Sequence, residues 1–357
     1  MTNFEIIRTT NPKAKPTDES KLGFGKCFSD HMFVMEYSEE KGWHDGKVVP
    51  YGPITLDPAA VVFHYGQELF EGLKAYNAPD GNVLLFRPLD NIRRMNETCD
   101  RICVPRIDEQ VALDAIKAVV DADRDWIPKT PGTSLYVRPF IIGTEAFLGV
   151  HPAKQYKFII ILAPSGHYYP NGLAPTKIYV EDKYVRAVAG GTGFAKIGAN
   201  YAISLKAQME AEEKGYNQVL WLDGIERKYV EEIGTSNAFF MIDGTVITAP
   251  LAGTILPGVT RRTVIQVLKD KGIPVEERKL SIDEIIEAQK AGKLNEAFAS
   301  GTAAVISPVG YIEYKGVGYT VNNNEIGEVS QMLYDTITQI QRGDLPDTHG
   351  WTVKVDE

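Results

Sequence analysis

Cysteine is scarce in this chain, and the three present, Cys27, Cys99 and Cys103, cannot all pair with one another. Their spacings match no common zinc pattern, which sets aside both a disulfide scaffold and a thiolate metal site. Cys99 and Cys103 lie four apart, a spacing that on a helix gives one shared face, and both read as small buried hydrophobes. An excess of positive charge is also missing. Lys and Arg number 38 against 47 Asp and Glu, a net charge of −9, which argues against nucleic acid or an anionic membrane as the main partner. No apolar run reaches the roughly eighteen residues of a membrane span. The opening Met1-Thr2-Asn3-Phe4-Glu5-Ile6-Ile7-Arg8 has neither a long apolar core nor a small-residue cleavage pattern, so no secretory signal is expected. The expected compartment is the reducing cytoplasm. Solenoid repeats and low-complexity tracts are absent as well.

What remains is the composition of a soluble globular protein, 44% hydrophobic and 24% charged over 357 residues, long enough for two domains with cores of their own. Residues 1 to about 30 read as a polar arm. Met32 to Tyr37 reads as a strand, Gly42 to Gly52 as turns, and the aromatic segment 63–76 as helix breaking into strand at Gly72. Ile92, Met95, Cys99 and Ile102 recur at helical steps, and a second helix follows from Glu109 to Asp123. Lys157 to Leu162 is a continuous apolar run, as for a strand covered on both faces. Residues 164–175, with three prolines and two glycines, mark a linker. The expected division is an N-terminal domain over 1–169, a linker over 170–176 and a C-terminal domain over 177–357. In the second half, Asp223-Gly224 and Asp243-Gly244 suggest hairpin turns, Ser281-x-x-Glu284 a capping box, and Glu328 to Arg342 a helix stopping at Gly343.

The stretch that invites chemistry is Gly190-Gly191-Thr192-Gly193-Phe194-Ala195-Lys196-Ile197-Gly198-Ala199-Asn200-Tyr201. A helix of about fifteen residues is expected to follow it, ending at Gly215. The stretch is not a nucleotide-phosphate loop, which needs glycine before the lysine and a hydroxyl after it; Ala195 and Ile197 stand there. Lys196, among few other charges, is a candidate amine nucleophile. Taken alone, the stretch also describes a turn before a surface helix with a solvated lysine, and the residues by themselves favour that plainer case.

Three further segments could hold an anion: the start of the Arg93-Arg94 helix, Gly258-Val259-Thr260 at a helix N-terminus, and Ser300-Gly301-Thr302. Each alone has an ordinary explanation in solvated arginines, a helix cap or a strand bend. Together with a reactive lysine they match the needs of pyridoxal phosphate, whose aldehyde takes a lysine, whose phosphate needs anchoring and whose ring nitrogen needs an acid. Glu232, at a strand end, is the candidate acid.

Several longer motifs then carry a resemblance. Tyr65-Gly66-Gln67-Glu68-Leu69-Phe70-Glu71-Gly72-Leu73-Lys74-Ala75 is the first, followed by Val137-Arg138-Pro139 with Ile142-Gly143-Thr144-Glu145. Gly190-Gly191-Thr192-Gly193, Glu232-Ile233-Gly234-Thr235 and Leu256-Pro257-Gly258-Val259-Thr260-Arg261-Arg262 come next. In this order they resemble the branched-chain amino-acid aminotransferases, fold-type IV pyridoxal-phosphate enzymes, in the longer form that includes the mammalian members. The resemblance runs from Asp30-His31-Met32 to the C-terminal helix. It implies an α/β (α+β) fold of two domains, a smaller N-terminal α/β domain and a larger C-terminal one with a barrel-like sheet that carries the cofactor lysine. The same fold serves D-amino-acid aminotransferases and aminodeoxychorismate lyases, which the aromatic pocket and the length of the match disfavour.

Residue by residue, the resemblance implies that Lys196 forms the Schiff base and later shuttles the α-proton. Tyr201 would hydrogen-bond the cofactor's phenolic oxygen and Glu232 its pyridine nitrogen, with Thr235 beside them. Arg94, Val259, Thr260 and Thr302 would hold the phosphate. On the substrate side it implies Phe28, Tyr65, Phe70, Tyr136, Arg138, Tyr168, Thr235, Thr302 and Ala303, with Val150 reaching the site of a partner subunit in a homodimer. Arg138 would pair with the distal carboxylate of glutamate, so that one pocket serves both amino acids and 2-oxo acids. No metal is implied. The longer mammalian form carries a Cys-x-x-Cys where this chain has Ala304 and Ser307, so redox switching by that route is not expected.

Overall fold

The structure, a computed structural model, describes residues 2–166 and 173–356; the expected substrate residue Tyr168 and the first part of the expected linker lie outside them. The chain divides into two compact units. The first comprises Met1–Pro170, Lys196–Gly198 and Gln339–Glu357, and the second Asn171–Ala195 and Ala199–Thr338. This differs from the division read off the sequence in two places: the peptide bearing Lys196 and the segment from Gln339 onward cluster with the first unit, which becomes the larger of the two.

The first unit is built on a nine-stranded sheet. Its centre is the strand Gln155–Ser165, which pairs antiparallel with His31–Ser38 on one side and Ser134–Gly143 on the other. Phe158, Ile159, Ile160 and Leu162 have no exposed surface, as the continuous apolar run predicts. Beyond Ser134–Gly143 come Leu73–Asn77, then Val83–Phe86, then Thr352–Lys354 at the edge. The short strand Glu68–Phe70 pairs with the other end of Ser134–Gly143. The helix Pro88–Arg101 opens with proline in its first turn, where the missing N–H costs nothing. Its neighbour Glu109–Ala122 is capped by Asp108, whose carboxylate accepts from Gln110 and Val111.

Two expectations in this unit need correcting. Gly42–Pro50 is a strand, paired with His31–Ser38, rather than turns. Its glycines mark an irregularity in register and a close approach: a Cβ on Gly46 would lie 2.7 Å from the ring of Phe4. Cys99 and Cys103 do not share a helical face, because the helix ends at Arg101 and Cys103 turns to φ 57°. Cys99 is buried and Cys103 exposed.

The second unit holds the barrel. Strands Val230–Ile233, Gln218–Leu222, Thr176–Glu181, Val305–Tyr314, Leu294–Gly301 and Ser236–Ile242 follow one another in the sheet, and Ser236–Ile242 pairs back to Val230–Ile233 to close the ring. Closure removes the strand edges that would otherwise stay unpaired. Ile178, Val180, Leu220, Phe240, Ala299 and Ile312 contribute to one continuous core.

Three local expectations shift here. After Lys196 there is not one helix but two, Gly198–Ala202 and Leu205–Glu213. The break comes where the Ser204 hydroxyl donates to Tyr201 O at 2.7 Å and so competes with helix continuation. Asp223-Gly224 is not a two-residue hairpin. One Asp223 carboxylate accepts four backbone N–H groups, from Ile225, Glu226, Lys228 and Tyr229, and organises a longer loop. Ser281 caps its helix as expected, accepting from Glu284 N at 3.1 Å, but the Glu284 side chain pairs with Arg278 instead of returning to the cap.

Candidate active site

In the first unit the site is organised around Phe70 and Glu71, in the turn between strands Glu68–Phe70 and Leu73–Asn77. Lys196 is held there by its own peptide. Its N–H donates to Thr98 Oγ1 at 3.0 Å, and its carbonyl accepts from Phe70 N at 3.0 Å. The backbone is thus fixed on both sides. Its Nζ lies 4.7 Å from the centre of the Phe70 ring. Just beyond, the Gly198 N–H donates to a carboxylate oxygen of Glu68.

Arg138 lies 4.8 Å from the centre of the same Phe70 ring and 5.2 Å from that of Tyr136. Its Nη2 donates to the Tyr136 hydroxyl at 3.1 Å. Its Nε is buried without a hydrogen-bond partner among the described residues, an unmet charged donor of the kind that a bound carboxylate satisfies. Tyr136 also packs against Phe24 in a T-shaped pair, at 4.9 Å between ring centres. Of the residues expected on the substrate side, Phe70, Tyr136 and Arg138 therefore gather with Lys196. Phe28, Tyr65 and Val150 have other surroundings: Phe28 stacks on Tyr51, Tyr65 is half-exposed beside His64, and Val150 is 84% exposed.

Arg94 is almost completely buried, and its partner, Glu71, was not anticipated. Arg94 Nε donates to Glu71 Oε1 and Nη2 to Oε2, both at 2.8 Å. Burial alone would push the Glu71 carboxyl up, but Arg94 beside it, Lys196 nearby and Asn91 outweigh this and hold it below the ordinary carboxylate range.

In the second unit Glu232 is 2% exposed and clamped from two sides. Its Oε1 accepts Leu256 N–H at 2.7 Å, and its Oε2 sits 3.0 Å from Arg186 Nε. Arg186 is buried too, and ties this pair to the glycine-rich run by donating to Thr254 O at 2.9 Å and Gly193 O at 3.3 Å. Gly193 has no room for a side chain, since a Cβ would lie 2.2 Å from Thr254 O. Asn237, the cross-strand partner of Glu232, donates to Leu256 O at 2.9 Å. The two side chains thus hold the Leu256 peptide at both ends.

That loop leads into the helix Val259–Asp270, whose N-cap Gly258 supplies no side-chain cap. The first N–H groups, including those of the buried Val259 and Thr260, carry the partial positive charge of a helix N-terminus. Ser300-Gly301-Thr302 lies at the turn between strands Leu294–Gly301 and Val305–Tyr314. Ser300 Oγ is buried without a partner among the described residues. Val305 closes the turn at φ 64°, a left-handed conformation that costs a β-branched residue energy and that the surrounding sheet must impose. Thr302 and Ala303 are half-buried in this turn, Thr235 is exposed in the turn before Ser236–Ile242, and Tyr201 is half-buried in the helix Gly198–Ala202.

Two buried arginines, Arg94 and Arg186, each held against a buried acid, are the shared device. A model of class IV amino-transferases matches residues 68–312, which take in every one of these groups. The chain belongs to that family. Branched-chain-amino-acid aminotransferase 2 of Bacillus subtilis is 56% identical over 352 residues, spanning 99% of this chain and 97% of the relative. The probable branched-chain-amino-acid aminotransferase of Staphylococcus aureus strain N315 is 54% identical, spanning 98% of both. Among solved structures, the Escherichia coli branched-chain amino acid aminotransferase superposes with a TM-score of 0.78 at 26% identity, over 91% of this chain and 99% of that one. The branched-chain aminotransferase of the archaeon Thermoproteus uzoniensis with norvaline gives 0.76 at 26%, over 91% and 99%. Within the class, this aminotransferase belongs with the branched-chain-amino-acid enzymes and has their fold-type IV architecture. The residues missed at the sequence level are the supports: Glu71, Asn91 and Thr98 behind Arg94 and Lys196, and Arg186 behind Glu232. Arg186 had a signal, a lone arginine in Val185-Arg186-Ala187-Val188, like Arg138 in its apolar strand.

Proposed function

We propose that this aminotransferase carries out reversible transamination of L-leucine, L-isoleucine and L-valine with 2-oxoglutarate, using pyridoxal 5′-phosphate and a ping-pong sequence. The observation that carries the substrate reading is Arg138, a cation with an unmet Nε against the Phe70 and Tyr136 rings. Aromatic walls suit a branched aliphatic side chain, and the guanidinium suits the distal carboxylate of glutamate and 2-oxoglutarate. The donor set also fits the cofactor: a bare helix N-terminus at Val259–Thr260, a buried carboxylate at Glu232 and an unpartnered Ser300 hydroxyl.

When bound, pyridoxal phosphate supplies an aldehyde that exchanges amino groups and a ring that draws electrons from the substrate's α-carbon. The chain's residues do the rest. Lys196 holds the cofactor and moves the α-proton with its amine. Glu232, paired with Arg186, holds a proton on the ring nitrogen, and Tyr201 donates to the phenolic oxygen beside Thr235. Arg94, the Val259 and Thr260 N–H groups and Thr302 grip the phosphate. Phe28, Tyr65, Phe70, Tyr136, Arg138, Tyr168, Thr235, Thr302 and Ala303 receive the substrate. Val150, with Phe147 and Leu148 exposed nearby in sequence, supports a homodimer in which it reaches a partner's site. We place the enzyme in the cytoplasm, consistent with its unpaired cysteines; among the described residues no helix is long and apolar enough to cross a membrane.

The test is a visible spectrum of the purified enzyme together with an amino-donor panel and 2-oxoglutarate. The expected result is a yellow cofactor band, lost in Lys196→Ala, and turnover of the three branched L-amino acids. Turnover of D-alanine without L-leucine would overturn the assignment.

A further inference from the structure

We propose that Glu71 is a positioning residue for phosphate capture: it fixes the plane and direction of the Arg94 guanidinium. This rests on the reading above, in which Arg94 is a phosphate ligand. Glu71 is 1% exposed, and its carboxylate is saturated. Oε1 takes Arg94 Nε at 2.8 Å. Oε2 takes Arg94 Nη2 at 2.8 Å, Asn91 Nδ2 at 2.8 Å and its neighbour Gly72 N at 3.2 Å. Asn91 is one helical turn before Arg94 and also donates to Gly72 O at 3.2 Å, so the helix Pro88–Arg101 is tied twice to the same turn. The Glu71 backbone is fixed as well, its N–H donating to Pro139 O at 2.7 Å.

Two parallel bonds along one edge of a guanidinium define its plane, which a single bond cannot do. They occupy two of its five N–H groups and commit the rest of the fan to a set direction. Holding a helix to a sheet does not by itself call for a buried ion pair, because apolar side chains of similar volume do that at least as well. A buried ion pair of this geometry serves where the cation itself must be presented in one orientation. The negative charge of Glu71 would by itself disfavour a second anion on Arg94. Geometry and charge therefore act in opposite directions and have to be separated by experiment.

Glu71→Asp separates them, since it keeps the charge and withdraws the carboxylate by one methylene. The measurement is the affinity of the full chain, after removal of its cofactor, for pyridoxal phosphate and for pyridoxal, which lacks the phosphate. Glu71→Asp is expected to weaken pyridoxal phosphate roughly tenfold or more, the scale of a lost charge-assisted hydrogen bond, while pyridoxal changes by less than about twofold. In an Arg94→Lys background the same change should add almost nothing, because the two residues act as one unit. Equal weakening of both ligands, or weakening of neither, would overturn the proposal. Should Glu71→Asp not accumulate as folded protein, Glu71→Gln is judged by the same ratio of affinities. Arg94→Met distinguishes the two levels of inference. If it fails to discriminate the ligands, the reading of Arg94 as a phosphate ligand falls. If it discriminates and Glu71→Asp does not, only the role of Glu71 falls.

Discussion

Each unit of this chain contains one buried acid–arginine clamp, and in the proposed mechanism the two run in opposite directions. In the first, Glu71 is the support and Arg94 the working group. In the second, Arg186 is the support and Glu232 the working group. Both acids are 2% exposed or less, and both clamps are completed by neutral donors, Asn91 and Gly72 N in one case and Leu256 N in the other. Taking a charge out of water costs several kcal/mol unless a partner compensates it, so a site that needs one buried charge must import a second. Which member does the chemistry cannot be told from the pair itself, only from what it faces. Arg138 is the instructive exception. Among the described residues it has no carboxylate partner, as befits a cation whose partner is proposed to arrive with the substrate.

The second clamp offers the largest expected effect. Glu232→Gln should lower turnover on the order of 10²–10⁴-fold, the range for losing a positioned proton-holding group, with the visible cofactor band retained. Arg186→Met should reproduce part of that loss and also destabilise the fold by about 3–5 kcal/mol, because it strands Glu232 as a buried unpaired charge. Combining the two changes should recover stability but not turnover. Chemical denaturation alongside single-turnover rates would show this, and an Arg186→Met variant of undiminished stability would dissolve the parallel between the clamps.

Removing the unpaired cation should give a more selective outcome. Arg138→Met is expected to raise KM for glutamate and 2-oxoglutarate roughly tenfold to a hundredfold, from the loss of a charged hydrogen-bonded contact, while the leucine half-reaction changes little. Half-reactions measured separately would decide, and parallel losses for both substrates would take Arg138 out of the specificity role.

The smallest effect concerns Lys74, the cross-strand neighbour of Tyr136. Burial pushes its ammonium down to about 8, below the ordinary lysine value. The unfolded chain then binds this proton more tightly than the folded one, so stability should rise as pH increases from about 8 towards the usual lysine value, and the penalty should be fully present below about 8. Lys74→Met should flatten that slope in denaturation midpoints taken across the range. An unchanged slope would show that Lys74 does not carry it.

How much of this was legible beforehand depends on the reach of each interaction along the chain. Lys196, Glu232 and the Leu256–Thr260 loop each sit in a short local motif that alone also fits an ordinary turn, strand end or helix cap, and the order of those motifs along the chain singles them out. The burial of Gln155–Ser165 on both faces and the cap at Ser281 are equally local, and plain in the sequence. The supports are not local. Glu71 meets Arg94 across twenty-three positions, and Arg186 meets Glu232 only once the strands Thr176–Glu181, Gln218–Leu222 and Val230–Ile233 lie side by side. Where local signals misled, a tertiary contact explains it. Gly46 in Gly42–Pro50 answers the Phe4 ring rather than a turn, and the single helix expected after Lys196 is interrupted where the Ser204 hydroxyl bonds Tyr201 O.

The edge strand Thr352–Lys354 has a consequence for how the protein is made. It pairs with Val83–Phe86, so the first unit's sheet lacks its last strand until the whole of the second unit's barrel has been synthesised. The Lys196 peptide, also part of the first unit, follows a shorter excursion, with only the strand Thr176–Glu181 of the barrel made before it. A nascent chain stalled within the barrel would therefore present an open sheet edge at Val83–Phe86, the kind of surface on which misassembly begins. The unit that starts first on the ribosome is the one that finishes last.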